Sequence, residues 1–186
     1  GPGDHVGIYA KNSVEHVVAL LAVFKIRAVA INVNYRYVEG ELNYLFDNSD
    51  IVALLHERPY APLVASTAPQ HEKLATIVAM PDPTEPDCRA DITSYGGVDW
   101  DEALAGQSPE RDFGERSADD LYIVYTGGTT GWPKGVMWRH EDFWRVLVVR
   151  GIVFVEEQRV PYAEEVDEHE ATAIHVLGEE AGEPVA

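Results

Sequence analysis

Residues 121–135 read LYIVYTGGTTGWPKG, and they decide both the fold and the chemistry of this chain. The stretch opens as an apolar run, residues 121–125, the pattern of a buried strand bounded by turn residues. It then places four glycines, three threonines and one lysine within ten residues, 126–135. Glycine lets a backbone approach a ligand closely and adopt positive φ. Successive N–H groups on such a loop converge into an anion-binding nest. Thr126, Thr129 and Thr130 add hydroxyls that can also ligate a phosphate-bound magnesium ion, and Lys134 brings a mobile positive charge. A strand feeding such a loop is expected to hold the phosphates of a nucleotide. The competing reading is a Gly/Thr-rich turn that joins two strands and binds nothing.

Upstream, two periods alternate. Residues 6–10 form a short apolar run, expected as a strand, and Asn12 or Ser13 can cap the helix that follows. In that helix Val14, Val17, Val18, Leu21 and Phe24 recur at helical spacing and mark its apolar face. Residues 28–33, 51–55 and 74–80 read as further strands. Residues 39–48 read as a helix with Leu42, Leu45 and Phe46 on one side, and helices are expected over 60–67, 100–105 and 141–149. Strands alternating with helices predict an α/β fold with a partial parallel or mixed sheet and flanking helices. Ligands of such sheets lie beyond the carboxyl ends of the strands, which is where the Gly/Thr loop begins.

Composition sets outer bounds. Apolar residues make up 46% of 186, enough for a sizeable core. A net charge of −18 disfavours nonspecific nucleic-acid binding, which needs basic surface. No apolar run approaches the ~20 residues that span a bilayer, so no membrane span is expected. The single cysteine, Cys88, excludes an intrachain disulfide and points to a reducing, cytoplasmic setting. Charge is unevenly spread: residues 156–186 hold ten carboxylates against one arginine, half of the net excess. That shift places a boundary near residue 150.

The loop is not a Walker A sequence, because no Ser or Thr follows Lys134. It resembles instead the YTSGTTGxPKG signature of the adenylate-forming superfamily, which includes acyl-CoA synthetases, with Gly127 where most members carry serine. The resemblance extends to GDHVGI at 3–8, LLAVFKIRAVAINVN at 20–34, Tyr35-Arg36-Tyr37, Glu41, Leu42 and Tyr44, and VMWRH at 136–140, in the manner of actinobacterial acyl-CoA synthetases. It covers residues 1–147. It implies that Thr126, Gly127, Gly128, Thr129, Thr130 and Gly131 wrap the β- and γ-phosphates of ATP, assisted by Lys134. It implies Mg2+ and coenzyme A as cofactor and co-substrate, and a small-molecule carboxylic acid as the group activated. His140 is a candidate substrate-side residue; the alternative is a capping histidine at the start of the following helix. Trp132 and Trp138 are expected to pack locally. No catalytic residue and no metal-ligand set is assigned. The family's adenine, ribose and C-terminal lysine motifs are absent from these 186 residues, so the isolated chain is expected to be inactive or nearly so.

Residues 148–186 change character. RGIVFVEEQRVP at 150–161 and EVDEHEATAIHVL at 165–177 resemble the opening of a GNAT-type N-acetyltransferase, which implies a helix ending in VFVEEQ, an acidic loop, a strand over 172–177, a turn over 178–182 and a partner strand from there. A GNAT fragment joined to a ligase remnant is therefore an alternative to a ligase alone, and a non-catalytic nucleotide-binding module is a third reading.

Overall fold

A computed structural model describes residues 1–110, 113–126, 131–159, 178–180 and 183–185. Five strands arise from apolar runs in the first half of the chain: β1 (His5–Tyr9), β2 (Val29–Val33), β3 (Ala53–Glu57), β4 (Thr76–Met80) and the two-residue β5 (Val98–Asp99). Between them lie α1 (Val14–Lys25), α2 (Glu39–Ser49), α3 (Ala61–Thr67) and, after β5, α4 (Trp100–Leu104). The second half adds β6 (Leu121–Thr126), β7 (Lys134–Arg139) and α5 (His140–Arg150), which continues as a π-helical segment, Gly151–Glu157.

The seven strands form one sheet in the order β5-β4-β3-β1-β2-β6-β7. Every neighbouring pair is parallel except β6 with β7. The α/β class and mixed sheet read from the sequence are thus what the chain forms. Side chains alternate with the strand period of two. Val29, Ile31 and Val33 of β2 and Leu121, Ile123 and Tyr125 of β6 face one core, closed by Leu42, Leu45 and Phe46 of α2 and Val64 of α3. Ala28, Ala30, Tyr122 and Val124 face the other, closed by Ala19 and Val23 of α1, Trp100 of α4 and Phe143 of α5.

Local chemistry explains the boundaries. Ser13 caps α1 by accepting from the His16 N–H at 3.1 Å. Asp50 ends α2 in the left-handed region, φ 50°, a conformation short polar side chains tolerate, and its carboxylate accepts from Lys73 Nζ at 2.6 Å. Arg27 also turns left-handed, φ 60°, where Nε and Nη2 both donate to Asp120 at 2.9–3.1 Å, tying the end of α1 to the start of β6.

Three expectations are corrected. The core side of α1 carries His16, Ala19 and Val23, while Val14, Val17, Val18 and Leu21 stay exposed. The helix is apolar on nearly every side, so spacing does not select a face; small Ala19 does, because it lets the helix approach the sheet. β3 runs two residues past the expected end, since His56 and Glu57 are buried and paired with Ala79 and Met80. In the tail, Gly178–Glu180 (β8) pairs antiparallel with Glu183–Val185 (β9). This hairpin is not the expected one: its first strand occupies part of the expected turn, because the Glu180↔Glu183 pairing needs only two connecting residues. The strand expected over 172–177 lies outside the described residues.

Candidate functional site

Because β1, β2, β3, β4 and β6 run parallel, their carboxyl ends share one edge of the sheet. β6 ends there at Thr126, and the chain returns at Lys134, which is paired with Thr126 in the ladder. The Gly/Thr loop is therefore the connection of a hairpin at the carboxyl edge. Thr126 is half-buried, and Gly131 and Lys134 are exposed. Gly131 holds φ 156°, a backbone conformation that other residues rarely adopt. Gly127, Gly128, Thr129 and Thr130 lie outside the described residues. The sequence assigned Lys134 to the loop; it is the first residue of β7, so strand pairing fixes its backbone while its side chain stays in solvent.

Both shoulders of the loop reach the same helix. Tyr125, one residue before Thr126, donates its hydroxyl to Asn48 Oδ1 of α2 at 2.7 Å. Trp132, one residue after Gly131, stacks on Tyr44 of α2, with ring centroids 5.0 Å apart and planes 24° from parallel. Gly135 stands opposite Tyr125, and a Cβ there would meet the Tyr125 ring at 3.1 Å and Ile123 Cγ2 at 3.0 Å. Glycine leaves that ring its position without crowding. Burial, followed by the neighbouring Tyr44, pushes the Tyr125 hydroxyl up in pKa, so it stays a donor. Tyr37, buried beyond the end of β2, has a hydroxyl with no hydrogen-bond partner among the described residues; burial pushes it up as well, followed by Glu41 and Tyr125. Asn48 and the Tyr125 hydroxyl do not stand out in the sequence, and Tyr44 does so only through the family resemblance, with no role attached. The one available signal is the four-residue spacing of Tyr44 and Asn48 on a helix.

His140 is elsewhere. β7 is antiparallel to β6, and Arg139 at its end pairs with Leu121 at the start of β6. Five residue steps of a strand, about 17 Å, separate that end from Lys134. His140 opens α5, donates its backbone N–H to the Asp120 carbonyl at 2.8 Å, and packs on Phe24 with centroids 4.2 Å apart. Burial lowers its pKa, with Asp120 opposing. The structure brings Thr126, Gly131 and Lys134 together and leaves His140 at the opposite edge. Trp138 packs into the core facing α1 and α5, and Trp132 packs on Tyr44, both local as expected.

Strand order reverses between β1 and β3, the crossing point where open α/β sheets commonly bind ligands. Here it is occupied by the chain's own groups. The Lys11 N–H donates to Glu57 Oε2 at 3.1 Å, and Lys11 Nζ donates to Asp82 Oδ2 at 2.9 Å and Thr84 Oγ1 at 3.1 Å. Burial raises the Glu57 pKa, with the Lys11 N–H opposing. Burial also pushes Asp82 up, but hydrogen bonds from Thr84 and Lys11 outweigh it and hold the carboxyl low. Tyr9 and Tyr60 close the gap with ring centroids 4.5 Å apart.

A model of the family described as AMP-binding enzyme matches residues 1–176. The chain belongs to the AMP-binding enzyme family. Among curated relatives of this AMP-binding chain, a 3-oxocholest-4-en-26-oate–CoA ligase of Rhodococcus rhodochrous is 62% identical over 146 residues, 78% of the chain and 26% of the relative. A medium/long-chain-fatty-acid–CoA/3-oxocholest-4-en-26-oate–CoA ligase of Mycobacterium marinum is 58% identical over 151 residues, 79% of the chain and 27% of the relative. The chain thus spans about a quarter of the length of these relatives. In three dimensions it resembles ATP-bound MatB from Rhodopseudomonas palustris, with TM-score 0.62 and 28% identity over 86% of this chain and 28% of that one. It shares its fold with the anthranilate–CoA ligase AuaEII, with TM-score 0.70 and 23% identity over 81% of this chain and 28% of that one. The family match runs well past residue 148, and the acetyltransferase alternative finds no support among these relatives. Among the described residues no helix is long and apolar enough to cross a membrane.

Proposed function

We propose that this chain is the phosphate-binding part of an ATP-dependent acyl-CoA synthetase. In the reaction a substrate carboxylate oxygen attacks the α-phosphorus of ATP and pyrophosphate leaves. The thiol of coenzyme A then attacks the acyl-adenylate carbonyl and AMP departs. Negative charge builds on the leaving pyrophosphate in the first step, and donors aimed at it lower the barrier. Thr126, Gly127, Gly128, Thr129, Thr130 and Gly131 would supply amides and hydroxyls to the β- and γ-phosphates, and Lys134 the counter-charge. The observation that carries this reading is the pairing of Thr126 with Lys134, which sets both ends of the loop at the carboxyl edge of a parallel sheet.

Magnesium would arrive on the phosphates. Among the described residues no group of three or more His, Cys, Asp or Glu could hold a metal ion, whereas threonine hydroxyls suit a phosphate-bound magnesium. The acids proposed are steroid-type or medium- to long-chain carboxylates, after the names of the curated relatives. A cytoplasmic setting belongs to the same proposal, since ATP and coenzyme A are supplied there. So does a division near residue 148, which rests on the shift to an acidic composition from there on, while the family match itself continues to residue 176.

Calorimetric titration of Mg·ATP into the chain, with Lys134→Ala as control, is the test. Uptake by the parent and about tenfold weaker uptake by the variant is the expected result; no uptake by the folded parent overturns the reading. ATP–pyrophosphate exchange with fatty or steroid acids should stay at background, because this chain carries only the phosphate-binding part.

A further inference from the structure

We infer, building on the reading of the loop as a phosphate binder, that helix α2 positions it: Asn48 holds the upstream shoulder and Tyr44 the downstream one. A loop rich in glycine has many backbone states to lose before its amides can converge on an anion. Fixing both ends to one rigid body removes much of that cost in advance. The geometry supplies such a body. Leu42, Leu45, Phe46 and Ser49 of α2 are buried, so the helix is seated on the sheet. Tyr44 and Asn48 are one helical turn apart, about 6 Å between their Cβ atoms. The two residues they hold, Tyr125 and Trp132, bracket the loop.

The contacts are placed to order the loop rather than to stabilise the fold. Trp132 keeps 57% of its surface exposed, so its stack on Tyr44 adds little to the core. Asn48 is exposed as well, and it accepts from the hydroxyl tip of a tyrosine whose ring is already buried. Removing either contact therefore leaves the packed layers intact and frees one end of the loop. Gly135 lies against the same ring: a Cβ there would press on Tyr125 at 3.1–3.2 Å, so the ring would have to shift by a few tenths of an ångström. Tyr44, Asn48 and Tyr125 are positioning residues; none needs to touch phosphate.

Hydrogen exchange of the amides between residues 126 and 134, read by mass spectrometry, tests this beside Mg·ATP affinity and the thermal midpoint. Tyr44→Ala and Tyr125→Phe should each speed exchange of the loop amides and weaken Mg·ATP binding about tenfold, with Tm nearly unchanged. Tyr44→Phe keeps the stacked ring and should behave as the parent. Tyr125→Phe deletes a single hydroxyl, so folding of that variant is secure even if Tyr44→Ala is damaged. Unchanged loop exchange in both disruptive variants overturns the positioning role, even where Lys134→Ala abolishes nucleotide uptake. Faster exchange in the variants of a parent that takes up no Mg·ATP upholds the tether and removes the phosphate reading instead.

Discussion

Two regions of the same sheet edge are built on opposite principles. At the crossing of β1 and β3 the chain meets its own polar groups: Lys11, Glu57, Asp82 and Thr84 satisfy one another, and the Tyr9 ring packs tilted against Tyr60. At the β6–β7 hairpin the chain spends glycines, threonines and a lysine on a loop held at its shoulders. The first region is closed by charge pairing, and the second is the site proposed for a ligand. The usual crevice of an open α/β sheet is therefore used here as a structural bolt, and the proposed ligand site lies two strands along the same edge. Perturbing the first region should cost stability and spare nucleotide binding; perturbing the second should do the reverse.

The largest effect expected is a pH effect on the closed side. His56 is fully buried on β3. Its Nδ1–H donates to the Glu57 carbonyl at 2.8 Å, which can only accept, so Nε2 accepts from the Tyr95 hydroxyl at 2.9 Å. The neutral ring is thus satisfied, and burial lowers its pKa from 6.5 to about 4. A depressed value means that the folded state resists a proton the unfolded chain accepts. The stabilisation is complete above pH 6.5 and is lost as pH falls through about 4, a swing of about 3 kcal/mol. Glu57 works in the opposite direction, since its raised pKa favours folding at low pH and is lost as pH rises. Urea titrations from pH 7 to 4.5 should show stability falling with pH in the parent and a flatter profile in His56→Asn. A parent profile already flat would mean that His56 is not held neutral.

Next comes Asp82→Ala. The carboxylate is buried and accepts from Lys11 Nζ and from both the N–H and the hydroxyl of Thr84, the latter two at 2.7 Å. Its loss should cost about 2–3 kcal/mol, below the full price of a broken buried pair because Lys11 is partly solvated. The urea midpoint should fall while Mg·ATP affinity in the remaining folded protein holds. Lys134→Ala should invert that pattern, with an unchanged midpoint and binding weaker by about tenfold, or roughly 1.4 kcal/mol. A variant on either side that moved both quantities equally would erase the distinction between the two regions.

The legibility of each region in the sequence follows from the same difference. A ligand loop advertises itself, because close backbone approach demands glycine and charge demands lysine at a fixed spacing; the proposal for residues 126–135 therefore starts from the sequence, and the structure adds the pairing of Thr126 with Lys134. The fold was readable wherever apolar residues had a clear period, as in Leu42, Leu45 and Phe46 of α2. It failed where pattern is degenerate or polarity misleads. On α1, apolar residues cover most of the surface and the small Ala19 decides the face. On β3, His56 and Glu57 look like loop residues until their partners, about 40 residues and more than 20 residues on in the chain, are known. The tether on α2 was invisible for a related reason: Tyr44 and Asn48 acquire meaning only from Trp132 and Tyr125, which lie far along the chain and meet them in space.

The smallest effect expected lies between the two regions. Tyr37 follows β2, its backbone carbonyl accepts the Tyr9 hydroxyl at 2.8 Å on the closed side, and its ring neighbours Tyr125 on the loop side. Its own hydroxyl is buried with no hydrogen-bond partner among the described residues. An orphaned donor in a low-dielectric setting costs free energy that an apolar ring of the same shape does not. Tyr37→Phe keeps the ring packing and the backbone acceptor and removes only the oxygen. The variant should be as stable as the parent or more stable, by less than about 1 kcal/mol, with the Tyr9 contact intact. A loss of stability would show that the hydroxyl finds a partner in solution, and a simultaneous loss of Mg·ATP affinity would place that partner on the loop, joining two regions that the structure otherwise keeps separate.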